Sequence, residues 1–299
     1  MREINRILCP VDLSDVSRDA INHAVLLASW YKAKITALHV CNPLVVPETD
    51  FTVFGFGPRP ALTDEQVKQA GEQVLSCFRS AGPDVDVEVL IDSGQPAQQI
   101  LERAKSVPAD VVVIGTHGAG GFERLVLGSV TEKVLRRATC PVLTVPPRVH
   151  TTAKLPFKRI LCPLDFSKSS LAALDFALSL AQEGDAELTI LHVCEWPAED
   201  ESLAAPSLSA PEYRRDRERA AQAKLQEVIP ESTRDWCRPT TRLARGKAYR
   251  EILGIATEDN SDLIVMGVHG HNALDLMLFG STTNQVVRAA TCPVLTVRR

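Results

Sequence analysis

The residues of this chain that could do chemistry gather in two glycine-rich stretches. Gly115–Ser129 reads GTHGAGGFERLVLGS, and Gly267–Ser281 reads GVHGHNALDLMLFGS. Both keep glycines at G-x2-G-x9-G-S, and both place a histidine, His117 or His269, directly before the second glycine. Glycine admits positive φ and lets a ligand approach the main chain closely. Bare N–H groups at such a bend, next to a helix start, suit an anion and above all a phosphate. The spacing therefore nominates Gly115, Gly118, Gly128 and Ser129, with Gly267, Gly270, Gly280 and Ser281 as their counterparts. The amides of Ser129, Val130 and Thr131 would face the ligand. A helix dipole supplies about 0.3–1 kcal/mol, rising to about 2 when partly buried. Micromolar affinity needs about 8 kcal/mol, so several amides and base packing must supply the rest. The bland alternative is a tight turn, with Ser129-x-x-Glu132 as a capping box. Recurrence of the same spacing in a second copy weighs against it.

The loop is not a P-loop, because no G-K-S/T follows. Nor is it the dinucleotide fingerprint, whose glycine spacing differs. His117 and His269 are either hydrogen-bonding loop residues or phosphate contacts. Asp12 and Asp165 lie in C-P-V/L-D-x-S, each just after an apolar run. Such an acid could accept from a ribose hydroxyl or an adenine amine, hold a metal-bound water, or serve a helix start. No Ser or Cys pairs recognisably with a histidine, so no catalytic residue is nominated. Trp30, Trp196 and Trp236 do not interleave with basic residues, which removes a nucleic-acid stacking signature.

The flanking elements must position these residues. Arg6–Cys41 aligns without gaps to Arg159–Cys194, and RRATCPVLTV near Val145 returns as RAATCPVLTV near Val297. The chain is a duplicated domain. In the first copy, strands are expected at Arg6–Val11, Lys34–Val40, Asp86–Ile91, Val111–Ile114 and Val142–Val145. Helices are expected from Ser14 as N-cap, with Ala20, Ile21, Ala24, Val25, Leu27 and Ala28 on one face. Others run from the capping box Thr63–Gln66 to about Ser80, over Pro96–Ser106, and from Val130 to Ala138. Residues Asn42–Ala61 read as a long loop, and Pro146–Pro156 as the linker. The second copy repeats the pattern, with a loop at Glu195–Ala210, a helix over about Pro211–Val228 and a third strand at Thr240–Ala244. Its last elements are Leu263–Met266, Thr282–Ala290 and Val294–Val297. The domains are therefore 1–147 and 155–299. Strands alternating with helices imply parallel sheets covered on both faces, in a doubly wound α/β fold. Such sheets bind ligands beyond the strand carboxyl ends, where the winding reverses. If the first and fourth strands meet there, Asp12 and Gly115 share one crevice.

A formal net charge of −4 argues against a nucleic-acid backbone or an anionic membrane as the main partner. The N-terminus shows no secretory pattern and no apolar run reaches the roughly 20 residues of a membrane span, so a cytoplasmic location is expected. Of the eight cysteines, six form matched pairs: Cys9 with Cys162, Cys41 with Cys194, and Cys140 with Cys292. They sit at strand starts or ends and read as buried small apolar residues, not as a disulfide or metal framework. Cys77 and Cys237 are unmatched.

The paired loops, the early P-V/L-D-x-S, the L-H-V strand end and the terminal T-C-P-V-L-T-V resemble the universal stress protein family. The resemblance is to its ATP-binding branch in tandem form, and it spans nearly the whole chain. It implies two doubly wound five-stranded parallel sheets of order 3-2-1-4-5, packed as an internal pseudo-twofold pair. Edge strands Val142–Val145 and Val294–Val297 would cover each other. It implies adenosine near Asp12 and Val40, and phosphates near Gly115, Gly118, Gly128, Ser129 and Thr131. In the second half it implies Asp165, Val193, Gly267, Gly270, Gly280, Ser281 and Thr283. The implied cofactor is ATP, with or without Mg2+; the implied role is a stress-response regulator with an unknown protein partner, homodimerisation being a further option. A slow ATPase or nucleotidyl or phosphoryl transferase, and a scaffold that binds no nucleotide, are the alternatives. The halves differ: Arg124 and Gly121 have no counterpart in HNALDLMLF, which carries Asp275 instead. The second site is accordingly expected to bind ATP more weakly or to depend more on a divalent cation.

Overall fold

A computed structural model describes residues 3–41, 63–82, 84–118, 127–147, 155–195, 211–231, 233, 237, 239–268 and 279–298. The chain divides into two compact units, Glu3–Arg148 and Val149–Arg299, the latter joined by Met1–Arg2. The first unit runs β1 (Arg6–Val11), α1 (Ser17–Tyr31), β2 (Lys34–Cys41), α2 (Asp64–Ala81), β3 (Val87–Ser93), α3 (Pro96–Ser106), β4 (Val111–Gly115), α4 (Ser129–Arg137) and β5 (Val142–Val145). The second runs β6 (Arg159–Pro163), α5 (Lys168–Gly184), β7 (Glu187–Cys194), α6 (Pro211–Glu227), β8 (Thr240–Arg245), α7 (Ala248–Glu258), β9 (Leu263–Gly267), α8 (Ser281–Ala289) and β10 (Val294–Val297).

Within the first unit the strand order is β3-β2-β1-β4-β5; within the second it is β8-β7-β6-β9-β10. Every pairing inside each unit is parallel. Each is thus a doubly wound α/β domain of order 3-2-1-4-5. The central strands β1, β4, β6 and β9 are apolar apart from Arg6 and Arg159 at their starts, because helices cover both of their faces. Leu8, Ile35, Val112 and Val113 are buried in the first unit, and Leu161, Ile190, Ile264 and Val265 in the second. All six residues expected on the inner face of α1 are buried. In the first unit α1 packs on α2, and α3 on α4.

Local signals act where the sequence places them, with one exception. Thr63 and Gln66 form the full capping box of α2: Gln66 N–H donates to Thr63 Oγ1 at 3.3 Å, and Thr63 N–H to Gln66 Oε1 at 3.0 Å. Pro96 opens α3. The exception is Ser14, which does not cap α1; that helix starts at Ser17, and its N-cap, Val16, makes no side-chain bond. The Ser14 hydroxyl instead donates to Asp12 Oδ1 at 2.6 Å, and so belongs to the turn before the helix. Its counterpart Ser167 does cap, accepting from Ser170 N–H at 3.3 Å.

Two buttresses recur at the amino ends of the sheets. Asp110 Oδ2 accepts from the amides of Asn5 and Arg6, each at 2.8 Å. Asp262 accepts from the amides of Lys158 and Arg159 at 2.8 and 3.0 Å. Each carboxylate pins the strand leading to Asp12 or Asp165 to the strand leading into the glycine loop, so the two stay in register at their far ends. The cysteines are all free, with Cys9, Cys162, Cys194, Cys237 and Cys292 buried and Cys41, Cys77 and Cys140 half-buried. Cys9 and Cys162 lie within their strands rather than at the ends. Among the described residues, no helix is long and apolar enough to cross a membrane.

Candidate functional site

β1 and β4 are neighbours, and so are β6 and β9, so the winding reverses between them in each unit. Asp12 follows β1 at this point and Gly115 ends β4. The two do share one crevice: a Cβ on Gly118 would lie 2.7 Å from Asp12 Oδ2. The loop backbone therefore passes close beside the carboxylate, where an added methyl would have to displace the far end of the Asp12 side chain. Asp12 Oδ1 is held from the other side. It accepts from Ser14 N–H at 3.1 Å and from the hydroxyls of Ser14 and Ser17. Leu13, between the acid and Ser14, takes φ 62°, and its counterpart Phe166 takes φ 64°. This left-handed step turns the chain out of the strand and lets the carboxylate face back over its own turn. One carboxylate thus shapes the start of α1 with one oxygen and lies beside the glycine loop with the other.

The loop is laced to the helix that follows. Gly128 N–H donates to the Thr116 carbonyl at 2.8 Å, and the Thr131 hydroxyl donates to the Gly115 carbonyl at 2.7 Å. Thr131 is buried and Ser129 exposed. α4 begins after Gly128, which supplies no side-chain cap, and the Ser129–Glu132 capping box does not form. Glu132 pairs with Arg136 at 2.7 Å instead. The amides of Ser129, Val130 and Thr131 are first-turn groups with no intrahelical acceptor. α8 is built alike: Gly280 precedes it without a side-chain cap, and Thr283 donates to the Gly267 carbonyl at 3.0 Å. Gly280 N–H donates to the Val268 carbonyl at 3.0 Å, and Ser281 is exposed at the helix start.

His117 Nδ1 lies 2.9 Å from Thr116 Oγ1, while Nε2 is buried with no hydrogen-bond partner among the described residues. A buried polar atom left unpaired costs about 1–3 kcal/mol. Thr116 is itself buried, so this pair orients a ring and presents no nucleophile.

Val40 is half-buried at the end of β2, opposite Asp92 of β3. Beside it, His39 Nδ1 donates to the Val11 carbonyl at 2.9 Å, tying the ends of β1 and β2 together. In the second unit Val193 lies opposite Ala244, and His192 donates to the Leu164 carbonyl at 2.7 Å. Phe166 stacks against His192 with ring centroids 4.8 Å apart, and Lys224 Nζ lies 5.7 Å from the Phe166 ring. Asp165 Oδ1 accepts from Ser167 N–H at 3.0 Å. Gly267 abuts α5: a Cβ there would lie 2.7 Å from Ser169 Oγ and 2.8 Å from Ser170 N.

The structure brings Asp12, Gly115, Gly118, Gly128, Ser129 and Thr131 to the first crevice, with Val40 on the adjoining strand end. It brings Asp165, Gly267, Gly280, Ser281 and Thr283 to the second, with Val193 beside them. Gly270, His269, Asp275, Gly121 and Arg124 lie outside the described residues, as do positions 42–61 and 196–210, Trp196, Trp236 and the middle of the linker. Sequence reasoning passed over three features: the left-handed Leu13 and Phe166, the strand-tying His39 and His192, and the Thr116–His117 contact. The first two recur in both copies, so the repeat itself carried their signal. A cavity of about 370 Å3 opens at the amino ends of β6, β7 and β8, lined by Arg159, Glu187, Thr240, Arg242 and Asp259. It lies at the opposite end of the strands from the glycine loop.

The donor set fits a phosphorylated ligand. Two of the helix starts without side-chain caps, those of α4 and α8, directly follow the glycine loops, and a buried imidazole nitrogen lacks a partner among the described residues. Among known proteins, the family model described as "Universal stress protein family" matches residues 3–146 and again 156–298. A universal stress protein of Mycolicibacterium smegmatis is 29% identical over 98% of this chain and 96% of its own length. The universal stress protein YxiE of Bacillus subtilis is 34% identical and covers 47% of this chain and 98% of itself, so it corresponds to a single unit. A universal stress protein from Archaeoglobus fulgidus, solved by crystallography, covers 100% of both chains with a TM-score of 0.68 at 24% identity. That last likeness bears on the fold alone.

Proposed function

The chain belongs to the universal stress protein family in both of its halves, and from that premise we propose that it is a cytoplasmic adenine-nucleotide-binding regulator of the stress response. Each domain, 1–147 and 155–299, offers one site. The ligand is ATP, with or without Mg2+. Its phosphates lie on the first-turn amides of α4 and α8, and its adenosine lies over the ends of β1 and β2, or β6 and β7. Binding changes a surface that a protein partner reads.

The observation that carries this reading is the paired, uncapped helix start. α2 and α5 receive side-chain caps and α1, α3, α4, α7 and α8 do not, but of these α4 and α8 are the pair that directly follow the glycine loops. Amides free of side-chain caps at two equivalent places are what an anionic ligand requires. In the first crevice, Asp12 Oδ2 is positioned to accept from a ribose hydroxyl or adenine amine next to the loop.

The test is direct. Gently purified protein is denatured, and the released small molecules are analysed for ATP, ADP and AMP. The wild-type chain should yield adenine nucleotide. Gly118→Ala sets a methyl within contact of Asp12 Oδ2, and combined with Gly270→Ala it should yield none. Undiminished nucleotide in the double variant would remove the glycine loops from the site.

A further inference from the structure

The cavity of about 370 Å3 at the amino ends of β6, β7 and β8 lies at the far end of the strands from the glycine loop. Its charges divide into a satisfied set and an open pair. Arg242 is neutralised by neighbouring acids: Nη1 donates to both Asp259 oxygens, at 2.9 and 3.1 Å, and Nη2 to Glu258 Oε2 at 3.2 Å. Arg159 and Glu187 stand opposite each other in the parallel register of β6 and β7, yet no ion pair joins them among the described residues. Arg159 Nε donates to the Asn260 carbonyl at 2.8 Å. That bond fixes the guanidinium and leaves its terminal nitrogens as free donors. On the same wall the hydroxyls of Thr189 and Thr240 lie 3.2 Å apart.

The first unit serves as an internal control. The strand registers make Lys34 the equivalent of Glu187, Glu88 that of Thr240, and Leu90 that of Arg242. Counting back from the buttress acids Asp110 and Asp262, Val107 corresponds to Asp259 and Ala109 to Ser261. In the first unit Lys34 Nζ meets Glu88 Oε2 at 2.8 Å, so the charges there satisfy each other. The second unit has glutamate in place of that lysine and threonine in place of that glutamate. It also has arginine, aspartate and serine where the first has leucine, valine and alanine. One copy closes this face on itself; the other leaves a cation and an anion open side by side.

We propose that this cavity binds a small zwitterion of the α-amino-acid class. The ligand's carboxylate lies on the Arg159 guanidinium, which takes carboxylates through paired N–H bonds. Its ammonium donates to the Glu187 carboxylate, and the hydroxyls of Thr189 and Thr240 hydrogen-bond between the two. A simple anion or cation would serve one charge and leave the other facing a ligand of its own sign. The site belongs to the second unit, and it stands or falls independently of the nucleotide crevice.

The experiment uses the full chain and saturation-transfer NMR with L-serine, L-serine methyl ester and N-acetyl-L-serine as probes. An open site with one charge at each end binds weakly, with a Kd of about 0.1–1 mM. L-Serine should bind in that range. The ester, which lacks the carboxylate, and the N-acetyl form, which lacks the ammonium, should each bind about tenfold more weakly or worse. Glu187→Gln keeps the side chain's shape and should weaken L-serine by about tenfold. Glu187→Lys combined with Thr240→Glu transplants the ion pair of the first unit and should abolish binding, with the thermal midpoint reporting that the chain is folded. No transfer to L-serine at about 10 mM, tenfold above the weakest expected Kd, would overturn the site. So would equal transfer to all three probes, or undiminished L-serine binding in Glu187→Gln.

Discussion

At the scale of single residues, three glycines of the same motif face three different neighbours, and their costs separate accordingly. A methyl on Gly267 meets the backbone of Ser169 and Ser170 at 2.8 Å, which cannot swing aside. A methyl on Gly115 meets the His117 carbonyl at 3.2 Å, a milder crowding. A methyl on Gly118 meets only the far end of the Asp12 side chain. Overpacking of a tight site costs about 1–3 kcal/mol. Urea unfolding should therefore rank Gly267→Ala as the most destabilised, by about 1–3 kcal/mol, and Gly118→Ala as close to wild type. Equal midpoints for all three would contradict the close approach at α5. Gly118→Ala should still lose nucleotide, because the displaced carboxylate and the methyl share the crevice. The motif's spacing was legible in the sequence. Which glycine packs on a helix backbone and which lies against the carboxylate was not, because that depends on a helix brought in from far along the chain.

At the scale of elements, the uncapped starts of α4 and α8 set stability against binding. An acid in the first turn stabilises a helix by about 0.3–1 kcal/mol through the dipole. Ser129→Asp should hold or slightly raise the thermal midpoint while its charge repels a phosphate from the same amides. A variant that keeps full ATP affinity by calorimetry would remove the helix start from the site. At α2 the cap has only a structural task. Thr63→Ala should cost about 0.5–2 kcal/mol in urea unfolding, with nucleotide affinity intact. The strand–helix seam also differs between units. Arg103 of α3 grips Asp92 of β3 through two bonds, at 2.6 and 2.7 Å. In the second unit the basic member is on the strand: Arg242 of β8 reaches Asp259 at 2.9 Å, just past α7. The two pairs are not equivalent: Asp92 corresponds to Ala244 and Arg242 to Leu90 in the strand registers, so each copy built its own seam. Helices and strands were readable from periodicity and caps, down to the Thr63–Gln66 box. The start of α1 was not, because Ser14 had two acceptable tasks and the nearby Asp12 carboxylate decided between them.

At the scale of the whole molecule, the buried thiols make stability fall with alkalinity. Burial pushes Cys140 up to about 11 and Cys162 and Cys292 each up to about 12, and it raises Cys9 further. In the unfolded chain these thiols ionise near 8.5. Below that pH both states hold the proton and stability is unaffected. Above it the unfolded chain releases protons that the folded chain keeps, so stability declines up to the folded values. Each thiol then costs about 1.4 kcal/mol per pH unit. Urea midpoints should drop between pH 9 and 10.5, and Cys162→Ala should flatten part of the decline. A midpoint constant over that range would mean the thiols are not protected. Native protein at pH 8 should likewise leave Cys9, Cys162 and Cys292 unmodified by a thiol reagent that labels the unfolded chain.

From its order alone the chain disclosed the duplication, the βα alternation, the parallel sheets and the two glycine loops. Those depend on short-range periodicity and on residues whose backbone freedom is intrinsic. What folding had to settle was contact between distant segments. Asp12 beside Gly118, Thr131 on the Gly115 carbonyl, His39 on the Val11 carbonyl and an imidazole nitrogen buried without a partner among the described residues all arise where strand ends meet at the reversal of winding. Side-chain direction there is set by packing across separations that no local pattern encodes.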